Sequence, residues 1–140
     1  MILRGNNKRL VSYLTNRTGA ASVKGQVVTQ TGDTYDESYV AATHVSNAHT
    51  DGVVLVAGIP DGGRVPVATH GLAEALFDAA QTPTHGWWAT LASATAGRAA
   101  RITSGSGTGL GAILESAAAG ALADVDVQPS VGWDVDMGGA

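Results

Sequence analysis

Apolar and polar positions follow one another along this chain in runs of strand length, separated by turns that carry glycine. Arg9 to Leu14 (RLVSYL) alternates loosely and predicts a strand, which Thr18-Gly19-Ala20 breaks. Gln26 to Thr31 (QVVTQT) is a β-branched run closed by Gly32-Asp33, and Ser38 to Thr43 (SYVAAT) follows at hairpin distance. Val53 to Ile59 (VVLVAGI) is apolar without interruption, which predicts a strand in the middle of the core. Pro60-Asp61-Gly62-Gly63 offers a fixed φ and then a tolerated positive one, so it predicts a turn, after which Arg64 to Thr69 (RVPVAT) returns. Val65 and Val67 share one face of that strand. Pro66 cannot donate a ladder hydrogen bond, which predicts an edge position or a bulge. The last run, Ala123 to Gln128 (ADVDVQ), alternates clearly, with Val125 and Val127 inward and Asp124 and Asp126 toward water.

Two segments are ambiguous by pattern alone. In Leu72 to Ala80 (LAEALFDAA) the residues Leu72, Ala75, Leu76 and Ala79 fit a helix, while Gly71, Ala73, Ala75 and Phe77 fit a strand. Ser116 to Ala119 is readable as a helical turn stopped by Gly120 or as a connection between strands. The whole predicts seven to nine short strands in an all-β fold, a small β-sandwich or barrel. Residues 1–9 read as an extended N-terminal arm, 10–130 as the β-rich domain and 131–140 (VGWDVDMGGA) as an acidic tail.

Composition narrows the class. A chain of 140 residues is long enough to bury a core without disulfides, and it has no cysteine for a thiolate metal site or nucleophile. The stretch MILRGNNKRL lacks the apolar core of a secretory signal, and VVLVAGI is far shorter than the roughly 20 residues of a membrane helix, so no membrane partner is expected. Charged residues make up 14% of the chain, against about 25% in ordinary domains. A surface so poor in charge suits packing into an assembly. Arg4, Lys8, Arg9, Arg17 and Lys24 all precede the first acid, Asp33, whereas the remaining 108 residues hold three bases against twelve acids. A basic arm on an acidic body suits docking to an acidic protein surface or to a neighbouring copy. It does not suit nucleic acid, whose backbone the body would repel.

The candidate chemistry is thin. Residues 103–116, TSGSGTGLGAILES, place Gly105, Gly107, Gly109 and Gly111 ahead of an apolar segment, as a phosphate loop would. A Walker loop needs a lysine, and none follows Lys24. The GxGxxA match at Gly107 to Ala112 has no repeating βαβ pattern around it, so a turn that delivers Leu110, Ile113 and Leu114 to the core is expected and no cofactor. His44 and His49 stand five apart, a spacing that suits neither one helical face nor one strand face, and with Asp51 they read as a loop rather than a metal site. His70 and His85 each precede glycine and read as turn residues. No GxSxG elbow occurs, and Asp124 with Asp126, like Asp134 with Asp136, sits two apart on one solvated face, so no catalytic residue is assigned. Asn16-Arg17-Thr18 matches a glycosylation sequon by chance. Trp87 and Trp88, being adjacent, point to opposite sides of a strand, which puts one at the surface as an interface anchor; Trp133 in the tail is another.

From DGVVLVAGIPDGGRVPVATHG through HGWWATLASATAGRAARIT to GLGAILESAAAGALADVDVQPS, the chain resembles the head-decoration, or capsid cement, proteins of tailed phages. The opening NRTGAASVKGQVVTQTG and the closing unit of Leu110 to Glu115 with Ala119 to Val127 carry the same likeness, which spans roughly residues 10 to 130. The resemblance implies a β-rich fold in which LAEALFD and ESAAAGAL are strand and turn. It implies attachment to the outer face of the major capsid protein lattice of the virion, after assembly in the host cytoplasm, often as a homotrimer. Arg4, Lys8, Arg9, Trp87, Trp88 and Trp133 are then the expected contacts with capsid or neighbouring subunit. The pair Trp87-Trp88 and the tail beyond Ser130 depart from the common pattern. A carbohydrate-binding β module, with Trp87 or Trp88 as a stacking platform, is the alternative.

Overall fold

The computed structural model describes residues 9–31, 37–43, 50–102 and 109–128. These hold nine strands and no helix: β1 (Leu10–Asn16), β2 (Val27–Thr31), β3 (Ser38–Ala41), β4 (Gly52–Val54), β5 (Arg64–Leu76), β6 (Trp88–Leu91), β7 (Ala99–Ile102), β8 (Gly109–Ile113) and β9 (Leu122–Val127). Strands β1-β3-β2-β4-β5 lie side by side, and β5 pairs again with β1, which closes five strands into a small barrel. Only β1 and β3 run parallel; the other barrel pairs are antiparallel.

Leu14, Val28, Tyr39, Val54, Val65 and Val67 fill the barrel, at least one from each of its strands. Their chain neighbours Val27, Val53 and Ala68 point the other way and are equally buried, because a second sheet covers that wall. This is why VV and VVLV read as unbroken apolar runs: both faces of these strands are covered. At about 1.5 to 3 kcal/mol for each fully buried aliphatic side chain, the two faces of β2, β4 and β5 are a main source of stability.

The second sheet is built on the far half of β5, in the order β5-β9-β8-β6-β7. Its inner face, with Ala73, Ala75, Phe77, Leu91, Leu110, Ile113, Val125 and Val127, packs against Val27, Val53 and Ala68. A parallel bridge between Phe77 and Ala99, with Asp78 N–H donating to Ala99 O at 2.8 Å, brings the end of β5 back against β7. One strand serves both sheets because it turns a corner. Opposite Leu10 and Val11 the register of β5 slips from His70 to Ala68, and Gly71 follows with φ 92°, a conformation open to glycine.

The all-β expectation holds, and Leu72 to Leu76 is strand while 114–121 is a connection, as the resemblance implies. Several local expectations change. The run from Val53 to Ile59 is not one strand, since β4 ends at Val54 and Val56 is exposed. Beyond Leu55 the backbone bonds to the loop at Ser22 instead of to β5. Ser22 Oγ donates to Val56 O (2.7 Å) and accepts from Ile59 N–H (2.9 Å), and Gly58 N–H donates to Ser22 O (2.9 Å). Pro66 lies in a strand paired on both sides rather than at an edge. Its carbonyl accepts from Leu55 N–H (3.0 Å), so the donor it lacks would point to the same side, where β4 has already ended. The bulge of this strand is three residues on, at Thr69. His70 stands in β5 and not in a turn, because the chain bends there without reversing.

Residues 103–108 lie outside the described residues, so only the second half of the glycine-rich stretch is seen. There Gly109 begins β8, and Leu110 and Ile113 are both buried although three apart. A register slip against β6 at Ala89/Thr90 puts both on the inner side, and it leaves Leu114 half-buried outside the core clusters.

Candidate functional site

Of the expected contact residues, Arg4, Lys8 and Trp133 lie outside the described residues, as do His44 and His49. Arg9 is exposed immediately before β1, and its Nε–H donates to Leu72 O at 2.9 Å, which ties the root of the arm to β5.

The two tryptophans are both half-buried. Trp87 precedes β6, where the strand pleat does not yet apply, and it packs on the core cluster. The guanidinium of Arg101 lies 4.2 Å from its ring centroid and also donates to Thr84 Oγ1 at 2.7 Å. That face of the indole is therefore occupied and cannot stack on a sugar. Trp88 faces outward from the second sheet, in a register row that runs Leu72, Asp126, Ala112, Trp88, Ile102 across all five strands. Arg9 reaches one end of this row through Leu72. Three strand spacings, about 14 Å, separate Leu72 from Trp88, so arm root and tryptophan share one sheet face without touching.

Among the described residues, three of the five exposed large apolar side chains are on β1: Leu10 at 59%, Val11 at 41% and Tyr13 at 58%. Their backbone is open as well. Thr15 N–H donates to Glu37 O (2.7 Å) and Arg17 N–H to Tyr39 O (3.0 Å), whereas Asn16 N–H donates to Gly63 O (2.8 Å). Odd-numbered residues of β1 thus point their amides toward β3 and even-numbered ones toward β5. Yet β3 pairs with β1 only at Thr15 and Asn16. At Val11 and Tyr13 the N–H and C=O groups face a side where no described strand lies. Pro66 opposite Tyr13 has no donor, and its carbonyl serves Leu55, so β5 does not satisfy them either. An exposed apolar strand with free ladder groups is a template for another strand. In the sequence the only sign was that Val11 and Tyr13, as well as Leu10 and Leu14, are apolar, so one face of the strand had to be left outward.

Asn16 at the end of β1 is buried and fully used. Its Nδ2 donates to Ala20 O (2.8 Å) and Ile59 O (3.1 Å), and its Oδ1 accepts from Thr18 N–H (2.9 Å) and Thr18 Oγ1 (2.7 Å). The side chain of the sequon is a structural clasp between two loops. Asp51 is likewise engaged: its Oδ2 accepts from Gln30 N–H (2.6 Å) and Thr29 Oγ1 (3.0 Å). Among the described residues no three His, Cys, Asp or Glu side chains gather as metal ligands. The acids that do gather, Glu74, Asp124 and Glu115, raise the Asp124 carboxyl above its usual range, with burial as the first cause and the two neighbouring charges after it. Lys24 answers part of that charge through an ion pair with Glu74 at 2.9 Å.

A scan against protein-family models finds no match to this chain, and neither does a search of curated proteins. The functional reading therefore stands on the residues and their geometry.

Proposed function

We propose that this chain is a capsid decoration protein that binds the outer face of a phage head's major capsid protein lattice and stabilises it, as a homotrimer. The observation that carries the proposal is the open half of β1, which exposes Leu10, Val11 and Tyr13 and free backbone groups directly after the basic arm. A strand from a capsid subunit or a neighbouring copy laid along that edge would bury the apolar side chains and complete the ladder. Arg9 and the arm before it would add charge pairing at the rim, where charge mainly speeds and orients docking. Many copies on one lattice would let modest single contacts hold jointly. The carbohydrate reading is less well supported, because Trp87, one of the two candidate platforms, has a face of its ring covered by Arg101.

The test is co-sedimentation of the purified protein with expanded heads of its own phage, together with its oligomeric state by analytical ultracentrifugation. The proposal expects saturable binding and heads that withstand higher temperature. It also expects Val11→Asp/Tyr13→Asp to abolish binding while leaving the melting temperature within a few degrees, since both side chains are exposed. A chain that stays monomeric and ignores the heads refutes it.

A further inference from the structure

At the outer edge of the second sheet, a cavity of about 370 Å³ opens between the 78–81 segment, the end of β6 with residues 92–94, and β7. Asp78 lines it and is only 7% exposed. Its backbone is used, N–H to Ala99 O and C=O from Gln81 N–H, both at 2.8 Å. Its carboxylate has no hydrogen bond or ion pair among the described residues. Its carboxylate oxygens are not sealed from solvent but reach it through the cavity, so the unpaired charge is open to a cationic partner from outside. Arg101 also lines the cavity, but its guanidinium is held over Trp87 and bonded to Thr84, and it makes no ion pair with Asp78. The remaining wall is mostly apolar and small, with Leu91, Ala92, Ala94 and Ala100.

We propose that this cavity receives a primary alkylammonium group, the end of a lysine side chain presented by a protein partner. With the Arg101 guanidinium engaged by Trp87 and Thr84, the open charge of Asp78 disfavours phosphate and carboxylate ligands. A single carboxylate is too few ligands for a divalent cation. A lysine supplies the missing charge as a compact point with three donors, and its methylene stem matches the alanine and leucine wall. A planar guanidinium would gain less, since the nearby indole face already carries Arg101.

The test uses the free protein and does not depend on any capsid. Backbone amide NMR spectra are recorded while n-butylammonium, n-butanol, Nα-acetyl-lysine N-methylamide or 1,5-diaminopentane is added, with wild type and with Asp78→Asn. The proposal expects saturable shifts at Asp78, Gln81, Leu91 and Ala100 with n-butylammonium and the lysine derivative, at millimolar affinity, and about tenfold weaker effects from n-butanol. Asp78→Asn, checked for an intact spectrum, should remove the difference between amine and alcohol. Equal shifts from amine and alcohol in wild type, or none, overturn the proposal without need of any variant. Preference for the diamine over the lysine derivative by more than about tenfold overturns the protein source and points to a free polyamine.

Discussion

Gly111 distinguishes a structural glycine from a ligand-binding one, and replacing it with alanine gives a measurable answer. The residue lies in β8 between Ala89 of β6 and Val127 of β9, with φ 149°. A Cβ there would overlap the carbonyl oxygen of Asp126 and stand 2.9 Å from its carbonyl carbon. These are backbone atoms of β9, which β5 holds from its other side, so no flexible side chain can yield. The backbone conformation alone costs a substituted residue about 1 to 3 kcal/mol. Parting the strands threatens the flanking bonds Gln128 N–H to Leu110 O and Leu114 N–H to Asp124 O, both 2.9 Å, at about 1 kcal/mol each, and loosens buried Leu110 and Ile113. The total is about 3 to 5 kcal/mol, a large part of the 5 to 15 kcal/mol that holds a domain together. Gly86 is the control, since it has a similar need for positive φ (92°) but no atom within 4 Å of a built Cβ, so Gly86→Ala should cost only about 1 kcal/mol. Urea unfolding followed by tryptophan fluorescence measures both. If the two variants fall within about 0.5 kcal/mol of each other, the steric account of Gly111 is wrong.

Tyr39 is buried in the barrel with its hydroxyl unpartnered, so Tyr39→Phe should raise stability by about 1 kcal/mol in chemical denaturation; a loss of that size would mean a partner satisfies the hydroxyl. Burial, and then the charge of Asp61, push the phenol from 10.0 up to about 12, so the folded state keeps its proton longer than the unfolded one. Stability should be whole below pH 10 and fall as pH rises through 12, and the Phe variant should lack that part of the fall in melting curves taken across this range. Asp124 is also raised, so its contribution is present in acid and lost as pH rises through its folded value. Asp124→Asn should therefore melt higher than wild type at pH 7 and not at pH 3, and an equal melting temperature at both would remove the repulsion argument. Asn16→Ala leaves Thr18 N–H and two loop carbonyls short of a partner and should cost about 2 to 3 kcal/mol in urea unfolding, whereas a neutral result would show that the loops hold without the clasp.

The all-β class and most strand positions were legible because alternation is imposed by the pleat and the turns carry glycine. Val125 and Val127 facing in, with Asp124 and Asp126 between them, needed nothing beyond that rule. What could not be read was which apolar runs are strands buried on both faces. Val53-Val54 is buried on both, but the similar run beyond it leaves the ladder because Ser22, more than thirty residues earlier, captures its backbone. Nor could the length of β5 be read: a histidine-glycine pair normally marks a turn, and here it bends one strand between two sheets.

The candidate surfaces were less legible than the fold, for a physical reason that differs from residue to residue. Adjacency says that Trp87 and Trp88 take opposite sides, but not which of them packs on the core or that Arg101 covers one of them. The arm was visible as charge, but the surface it leads to depends on where β3 stops pairing with β1, a contact between residues more than twenty apart. Asp78 is the extreme case. In LFDAAQ it looks like a solvated turn acid, and only the bridge from Phe77 to Ala99 makes it buried and faces it into a cavity. Local patterns therefore report which groups a chain places at its surface only when the strand next door is also local. Both the β1 edge and the Asp78 cavity lie where the neighbouring strand is not local.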